Sequence, residues 1–228
     1  AEVRTMLEIK NIYKTFNPGT INEKVALNGL SLKLNEGDFV TVIGGNGAGK
    51  STMLNAVAGV WPVDEGQIII DGTDVTKLSE YKRAAYLGRV FQDPMTGTAA
   101  TMGIEENLAL AKRRGKTRFL RSGITKAERE EYKELLKILN LGLEDRLTSK
   151  VGLLSGGQRQ ALTLLMATLQ KPKLLLLDEH TAALDPKTAA KVLDITDRIV
   201  NRDHLTTLMI THNMKDAIAH GNRLIMMM

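Results

Sequence analysis

The chain has 228 residues, no cysteine, a net charge of +5 and an isoelectric point near 9.3. The lack of cysteine excludes disulfides and thiolate metal sites, and so modest a positive charge indicates an ordinary surface rather than a nucleic-acid partner. No apolar run approaches the roughly 18 residues that span a bilayer, and the N-terminus lacks the apolar region of a signal peptide. We therefore expect a cytoplasmic protein that reaches a membrane only through a partner.

The N-terminal third is rich in predicted β-strands. Alternation of apolar and polar residues predicts a strand over residues 7–13, and short β-rich segments predict strands over residues 25–27 and 30–34. Further strands are predicted over residues 38–43 and 66–72. These segments favour a strand-rich first subdomain.

A glycine-rich segment follows the predicted strand over residues 38–43 and precedes a predicted helix over residues 53–58, which Gly59 ends. Strand, glycine loop and helix form the context in which the pattern G-x-x-x-x-G-K-[ST] binds phosphates. Glycines let backbone amides turn toward phosphate oxygens, Lys50 can reach the β- and γ-phosphates, and the Ser51 hydroxyl can ligate Mg²⁺. The predicted phosphate-binding residues are Gly44, Asn46, Gly47, Ala48, Gly49, Lys50, Ser51 and Thr52.

The middle of the chain, roughly residues 93–153, changes to helical periodicity. Residues 103–114 predict one helix, and Thr125 and Glu128 have the capping-box spacing that begins a second, which Gly142 stops. The predicted buried face of the second helix consists of Tyr132, Leu135, Leu136 and Leu139. The pattern indicates a helical subdomain inserted into a strand-rich core.

The last third returns to alternating strands and helices. Four leucines over residues 174–177 predict a parallel strand covered on both faces, and residues 205–210 predict another. Asp185 is the predicted N-cap of a helix that begins at Pro186. Its predicted buried face consists of Val192, Leu193, Ile199 and Val200. Residues 224–228 are apolar with no closing turn, so we expect the natural protein to continue.

Two carboxylates, Asp178 and Glu179, follow the four leucines. Ligands of parallel α/β sheets bind beyond the carboxyl ends of the strands, so these acids can face the nucleotide that the glycine loop holds. Asp178 would hold the Mg²⁺ shell, and Glu179 would polarise the water that attacks the γ-phosphate.

Residues 154–158 read LSGGQ and precede a predicted helix over residues 161–169. Ser155 and Gln158 have capping-box spacing. Two successive glycines in a first helical turn lower helix stability, which indicates that a group approaches the backbone closely. A phosphate at this helix N-terminus would fit.

With these motifs the chain resembles the ATP-binding-cassette ATPases over nearly its whole length. The motifs that carry the resemblance, in the order usual for the family, are the phosphate loop at 44–52, Gln92, LSGGQ at 154–158, Asp178-Glu179, Ala183-Leu184-Asp185 and His212. The resemblance implies an α/β fold: a P-loop NTPase (RecA-like) core with an N-terminal antiparallel β subdomain and an inserted α-helical subdomain. The core would comprise residues 1–92 and 154–228, and the helical signature subdomain residues 93–153.

The resemblance also implies roles for single residues. Gln92 would be the Q-loop glutamine that senses Mg²⁺ and the attacking water, and His212 the switch histidine at the γ-phosphate. Asp185 would be the D-loop aspartate at a dimer interface. Phe16 would stack on adenine, with Tyr13 as the alternative.

The family works as a head-to-tail dimer, in which the signature of one subunit caps ATP held by the phosphate loop of the other. Ser155, Gly157 and Gln158 are then nucleotide contacts, and Ser51, Gln92 and Asp178 are metal contacts. The sequence departs from the family at Gly45, where proline or serine is frequent, and at His180, where proline is frequent. His180 is a candidate modulator of Glu179.

The implied cofactors are ATP and Mg²⁺. The implied partners are a second copy or a homologous ATPase subunit, an integral membrane permease and, in an importer, a substrate-binding protein, with no nucleic acid. The resemblance favours a small-solute importer, such as one for amino acids, held by its permease at the inner face of the cell membrane. The alternative is a soluble ATPase of a non-transport system such as iron–sulfur assembly. The basic run over residues 112–121 is interpreted as solvated surface, with anionic lipid or a permease loop as alternatives.

Overall fold

The structure is a computed structural model and describes residues 1–114 and 123–228. The chain divides into two compact units. The first unit consists of Ala1–Gly88, Pro172–Glu179 and His204–Met228, and the second of Arg89–Lys171 and His180–Asp203. The subdomain boundaries predicted after residues 92 and 153 lie at sequence motifs, whereas the two units are defined by compactness. The predicted boundaries therefore stay a prediction.

The described residues form nine β-strands and seven α-helices. The strands are β1 (Thr5–Phe16), β2 (Lys24–Asn35), β3 (Phe39–Gly44), β4 (Glu65–Ile70), β5 (Thr73–Asp74), β6 (Leu87–Val90), β7 (Leu174–Asp178), β8 (Thr207–Ile210) and β9 (Arg223–Met227). The helices are α1 (Lys50–Ala58), α2 (Glu80–Arg83), α3 (Ile104–Lys112), α4 (Lys126–Lys137), α5 (Gly156–Thr168), α6 (Pro186–Asp203) and α7 (Met214–Ala219). Within the described parts of the chain, no helix combines the length and the apolar character that crossing a membrane requires.

An antiparallel sheet with strand order β2-β1-β4-β5 forms part of the first unit. The strand predicted over residues 7–13 is confirmed, and Leu7, Ile9 and Ile12 of β1 are buried; the step of three residues from Ile9 to Ile12 coincides with an irregularity in the pairing with β2. β2 is one strand where the sequence predicted two. Gly29, at φ 76°, lies near an irregularity in the pairing of β2 with β1, and a glycine in this conformation allows a bulge without ending the strand.

A second sheet has the strand order β6-β7-β8-β3-β9. β3 pairs in parallel with β8 and β9, and β7 pairs in parallel with β8. The four leucines of β7 are fully buried, as expected for a parallel strand that is covered on both faces. The carboxyl ends of β7, β8 and β3 therefore lie at one edge of the sheet.

β9 is a strand that the sequence did not predict. The apolar residues 224–228 lie along β3, with Val40 opposite Arg223 and Gly44 opposite Met227. Ile225 and Met227 pack against the core, whereas Leu224 and Met226 are exposed. An edge strand of this kind normally shows a polar residue at every second position, and here the exposed positions are apolar, so the alternation is hidden.

The helices of the second unit largely follow the predicted patterns. Thr125 and Glu128 form the expected capping box at α4, and Tyr132 and Leu136 are buried while Leu135 is only half-buried. All four residues predicted on the buried face of α6 are buried. α5 begins directly after Ser155, as the capping-box spacing of Ser155 and Gln158 predicts, and so five residues before the start at residue 161 that the helical pattern alone indicated.

The basic run falls partly outside the described residues, which omit residues 115–121 of it. Its described part is paired with α4. Lys112 Nζ lies 2.6 Å from a carboxylate oxygen of Glu131, and Arg113 Nη2 lies 3.0 Å from Glu128 Oε2. These two cations are thus neutralised by α4, and the choice between solvated surface, anionic lipid and a permease loop stays a prediction.

Candidate functional site

The phosphate loop connects β3 to α1 and lies against two other strands of the first unit. A side chain on Gly49 would bring its Cβ within 2.6 Å of the carbonyl oxygen of Ala26 in β2. A Cβ on Gly44 would meet the carbonyl oxygen of Met227 in β9 at 2.5 Å. Glycine is therefore required at both positions by the close approach of backbone, independently of any ligand.

Lys50 is the first residue of α1, and it is buried, with 6% of its surface exposed. Its ammonium donates to the carbonyl oxygen of Gly44 and, at 3.1 Å, to that of Gly45. The loop thus holds a cation at the N-terminus of a helix, where free backbone amides and the helix dipole also favour negative charge. This combination forms an anion site.

A cavity of about 260 Å³ lies over this loop within the first unit. Its lining consists of Lys24, Ala26, Gly45, Asn46, Gly47, Ala48, Gly49, Lys50, Ser51, Thr52 and Glu179. A cavity whose lining includes two lysines and two hydroxyl-bearing residues suits a polyphosphate. The carboxylate of Glu179 adds a proton acceptor to the same cavity, which a pure anion-binding pocket does not need.

Glu179 and His212 meet beside the loop because their strands are neighbours. Glu179 follows β7 and donates its backbone N–H to the Ile210 carbonyl of β8 at 3.0 Å. Its Oε1 lies 3.3 Å from Nδ1 of His212, which follows β8. Asp178, the last residue of β7, is opposite Ile210 in the sheet. The first unit thus gathers three of the predicted site residues at one sheet edge.

Glu179 has an unusual backbone conformation, with φ at 49°. This left-handed region is uncommon for residues other than glycine, asparagine and aspartate. Its carboxylate is mostly shielded from solvent, with 18% exposure, whereas the His212 side chain is 61% exposed. The Glu179 side chain is therefore the more buried of the two.

The aromatic residue Phe16 lies at the end of β1, opposite Lys24 of β2, and Lys24 lines the cavity. The Phe16 ring contacts Trp61 edge to face, with centroids 5.4 Å apart, and the Lys14 ammonium lies 5.4 Å from the Phe16 centroid. Tyr13 lies further along β1, where its hydroxyl occupies the space beside Gly29. Phe16 is thus the ring nearer to the cavity along the strand.

Arg83 binds the C-terminal end of α1, a contact that the sequence did not predict. Its guanidinium is buried and donates to the carbonyl oxygens of Ala56 at 2.5 Å and Val57 at 3.2 Å. A cation at a helix C-terminus satisfies free carbonyls and complements the helix dipole. The helix that carries the phosphate loop is therefore fixed at its C-terminal end as well.

The second unit holds the remaining predicted residues, and most of them already have partners at helix ends. Ser155 Oγ accepts from the Gln158 N–H at 3.2 Å, and Gln158 Oε1 accepts from the Ser155 N–H at 3.1 Å. A Cβ on Gly157 would collide with the side chain of Thr188 in α6. The close approach that the two glycines indicate is therefore made, at Gly157, by the protein itself.

Asp185 caps α6 as predicted. Its carboxylate accepts from the Thr188 hydroxyl at 2.6 Å and from the Thr188 N–H at 3.0 Å. These hydrogen bonds hold the pKa of Asp185 below its usual value. Gln92 is exposed in the segment that follows β6, and the turn after it is closed by Asp93, which accepts from the Met95 N–H at 2.8 Å.

His180 is buried and bonded within the second unit. Its Nε2 lies 2.9 Å from Thr196 Oγ1, and its carbonyl oxygen accepts from Gln160 Nε2 at 2.6 Å. The same Gln160 nitrogen donates to the Phe91 carbonyl at 2.7 Å. Gln160 has no signal in the sequence, because both of its partners are backbone groups that are distant along the chain. Whether His180 modulates Glu179 stays a prediction.

Comparison with known proteins gives the class of the molecule. Residues 27–182 match the family described as ABC transporter. The chain belongs to this family, whose ATP-binding domains are ATPases. The predicted fold, a P-loop NTPase with an antiparallel sheet and a largely parallel one, is confirmed, as is the identification of the chain as an ATP-binding cassette.

Individual relatives are also similar over most of this chain. It is 48% identical to the tyrosine transport ATP-binding protein of Clostridioides difficile, over 97% of this chain and 88% of the relative. It is 37% identical to the methionine import ATP-binding protein MetN of Corynebacterium diphtheriae over 92% of this chain, but spans only 59% of that relative. A dimeric ATP-binding cassette solved in a post-hydrolysis state with ADP and Pi has a TM-score of 0.80 and 31% identity, covering 97% of this chain and 94% of that one.

Proposed function

We propose that this chain is the ATP-hydrolysing subunit of a small-solute importer and that it acts as a head-to-tail dimer on a separate membrane permease. The observation that carries the hydrolytic part is that Glu179 lines the phosphate-loop cavity and that its carboxylate lies 3.3 Å from the His212 imidazole. A module that only binds nucleotide needs the loop but not a carboxylate and an imidazole at its reactive end.

ATP would bind with its phosphates in the loop and its base at Phe16. The Lys50 ammonium and the free amides at the start of α1 would balance the charge of the β- and γ-phosphates. Phe16 is preferred over Tyr13 as the base platform because its strand partner lines the cavity, whereas the Tyr13 hydroxyl packs beside Gly29.

Oxygen donors suited to Mg²⁺ are available at the cavity and at the tip of β7. The Ser51 hydroxyl lines the cavity, and the Asp178 carboxylate ends the strand beside it. We assign these two side chains and Gln92 as metal contacts, since Mg²⁺ prefers oxygen ligands and is usually held by few protein groups together with phosphates. The bound ion would neutralise charge on the phosphates.

Hydrolysis requires a water placed in line with the γ-phosphate. Glu179 would accept a proton as the water oxygen bonds to phosphorus, and the bond to the leaving ADP oxygen breaks. His212, 3.3 Å from Glu179 Oε1, would orient that carboxylate and contact the γ-phosphate. Ser155, Gly157, Gln158 and Asp185 would act across the dimer interface, where the exposed N-terminus of α5 can receive the partner's nucleotide.

Transport is proposed from the relatives, since those named above are proteins of tyrosine transport and methionine import. These names favour an amino acid as the solute, an importer over an exporter, and transport over the iron–sulfur alternative. The permease would hold the chain at the inner face of the cell membrane, and a substrate-binding protein would deliver the solute.

A single variant tests the hydrolytic and dimeric parts together. Glu179→Gln keeps the shape of the side chain and removes the base, so we expect hydrolysis to fall by about 10²–10⁴-fold while ATP binding persists. With ATP present, light scattering should detect a dimer of this variant. Lys50→Ala, which should not bind ATP, is the matched control and should stay monomeric. Hydrolysis by Glu179→Gln at the parent rate would refute the role of Glu179.

The transport part needs a separate measurement. Membrane vesicles that contain the permease encoded in the same organism, loaded with ATP and this chain, should accumulate labelled tyrosine or methionine. Vesicles loaded with Glu179→Gln chain should not. Accumulation of neither amino acid above that control would contradict an amino-acid importer without affecting the ATPase assignment.

A further inference from the structure

Gln160 is a fully buried amide in α5, at 0% exposure. Its Nε2 donates to two backbone carbonyls, that of Phe91 at 2.7 Å and that of His180 at 2.6 Å. Among the described residues its Oε1, which is also buried, has no hydrogen-bond partner. A buried acceptor without a partner is unfavourable. The stabilising polar contacts of this side chain are therefore the two hydrogen bonds that its Nε2 donates.

The two carbonyls belong to segments that each adjoin a proposed reactive group. The Phe91 carbonyl is part of the peptide bond to Gln92. The His180 carbonyl comes one residue after Glu179. A single side chain therefore fixes the backbone next to the glutamine proposed to sense the water and next to the carboxylate proposed to polarise it.

His180 is held a second time, through its ring. Thr196 Oγ1 donates its only proton to the Val192 carbonyl at 2.8 Å, so its contact with His180 Nε2 at 2.9 Å requires that the ring nitrogen carries the proton. Residue 180 is thus bound at its ring and at its carbonyl.

Glu179 itself is in the left-handed region, at φ 49°. Such a conformation persists in a non-glycine residue only where the neighbouring structure fixes it. The Glu179 N–H is held by Ile210 on one side, and on the other the next residue is held by Gln160 and Thr196. These contacts restrict the backbone that aims the carboxylate.

We propose that Gln160 is a positioning residue for ATP hydrolysis, which fixes to the signature helix α5 the backbone of Phe91, directly before Gln92, and of His180, directly after Glu179. The inference rests on the proposed roles of those two residues. Because α5 begins at Ser155, a displacement of this helix on dimer closure reaches both segments through one amide.

The test separates positioning from simple packing by steady-state kinetics. Gln160→Met keeps the length and burial of the side chain but removes both donors. We expect kcat for ATP to fall about tenfold or more, with KM and the nucleotide Kd changed by less than about threefold. Thr168→Val is the matched control, because Thr168 is a buried polar residue of the same helix whose hydroxyl, among the described residues, bonds only to carbonyls of that helix. Its kcat should stay within about twofold of the parent.

A second variant covers the case in which Gln160→Met does not fold. Gln160→Asn keeps both amide protons but is one methylene shorter, so it should fold, bind nucleotide and also lose kcat. An unchanged kcat in a folded Gln160 variant, or an equal loss in Thr168→Val, would overturn the inference. Glu179→Gln in the same assay distinguishes failure of this inference from failure of the proposed function. If Glu179→Gln hydrolyses ATP at the parent rate, the proposed role of Glu179 is wrong. If Glu179→Gln is inactive while Gln160→Met has the parent kcat, only the positioning role of Gln160 is refuted.

Discussion

The two units present their polar groups in different ways. In the first unit, the loop after β3, the glutamate after β7 and two residues of β2 line one cavity, where a buried lysine and a shielded glutamate face the same space. In the second unit, Ser155 and Asp185 are engaged at the N-termini of their own helices. The arrangement in the first unit suits a chemical reaction. The arrangement in the second unit suits a surface that another molecule approaches.

Removing the cation of the first unit should have the largest effect. Lys50→Ala should weaken ATP binding by at least about 100-fold, because a charge-assisted contact to the phosphates is lost and a void is left in the loop. Titration with a fluorescent ATP analogue measures this. Lys10→Ala removes an exposed lysine outside the cavity and should leave the affinity unchanged. Near-normal affinity of Lys50→Ala would place the nucleotide elsewhere.

A change in the second unit should affect hydrolysis without affecting binding. Ser155→Arg places a bulky side chain at the exposed start of α5, where it would obstruct the partner's γ-phosphate. At a concentration where the chain is monomeric, ATP affinity should equal that of the parent, while ATP-driven dimerisation and hydrolysis should be lost.

A mixture of variants makes this prediction sharper. When Ser155→Arg chains are mixed with Lys50→Ala chains, each mixed dimer has one site with both defects and one with neither. Some hydrolysis should return if one intact site suffices. Loss of ATP binding by monomeric Ser155→Arg would instead show that Ser155 serves its own subunit's nucleotide or fold, and the contrast between the units would disappear.

Within the first unit, the base platform should matter less than the phosphate loop. Phe16→Ala should lower affinity for ATP about tenfold, since base–aromatic stacking contributes about 1–3 kcal/mol. Tyr13→Ala should change it by less than about twofold. Isothermal titration of the two variants with ATP decides between the rings, and the reverse order of effects would assign the platform to Tyr13.

The smallest effect is expected at the cap of α6. Asp185→Ala should lower Tm by roughly 2–4 °C, because the Thr188 N–H and hydroxyl lose their acceptor, whereas Asp185→Asn should cap nearly as well. The pKa of Asp185 is lowered by folding, so its contribution to stability is present above the ordinary value of 3.8 and is lost as the pH falls through the folded pKa. Thermal scans at decreasing pH should show parent and Asp185→Ala converging; a constant difference would contradict the carboxylate's role.

The parts of the site that could be predicted are those that one short segment specifies. The phosphate loop, Asp178 and Glu179 each follow an apolar strand, so their placement needs only the rule that parallel strands end at one edge. The cap at Ser155 is equally local. In contrast, β9 escaped prediction because its exposed positions are apolar.

Gln160 could not be found from the sequence for a different reason. Its partners are the carbonyls of Phe91 and His180, 69 and 20 residues away, and a backbone carbonyl has no residue type to recognise. Gly157 shows that one sequence pattern can have two physical reasons, and its role as a nucleotide contact stays a prediction. Its missing side chain suggested a ligand, whereas the side chain of Thr188 already occupies that space.

Trp61 is the only tryptophan in the chain, and it touches the ring proposed to carry the base. Its emission is therefore a signal from a single place, selected by exciting at wavelengths that tyrosine does not absorb. Quenching or a spectral shift on mixing with nucleotide would report arrival of the base in real time, with no dye attached. Trp61 is thus an intrinsic fluorescent reporter of nucleotide binding.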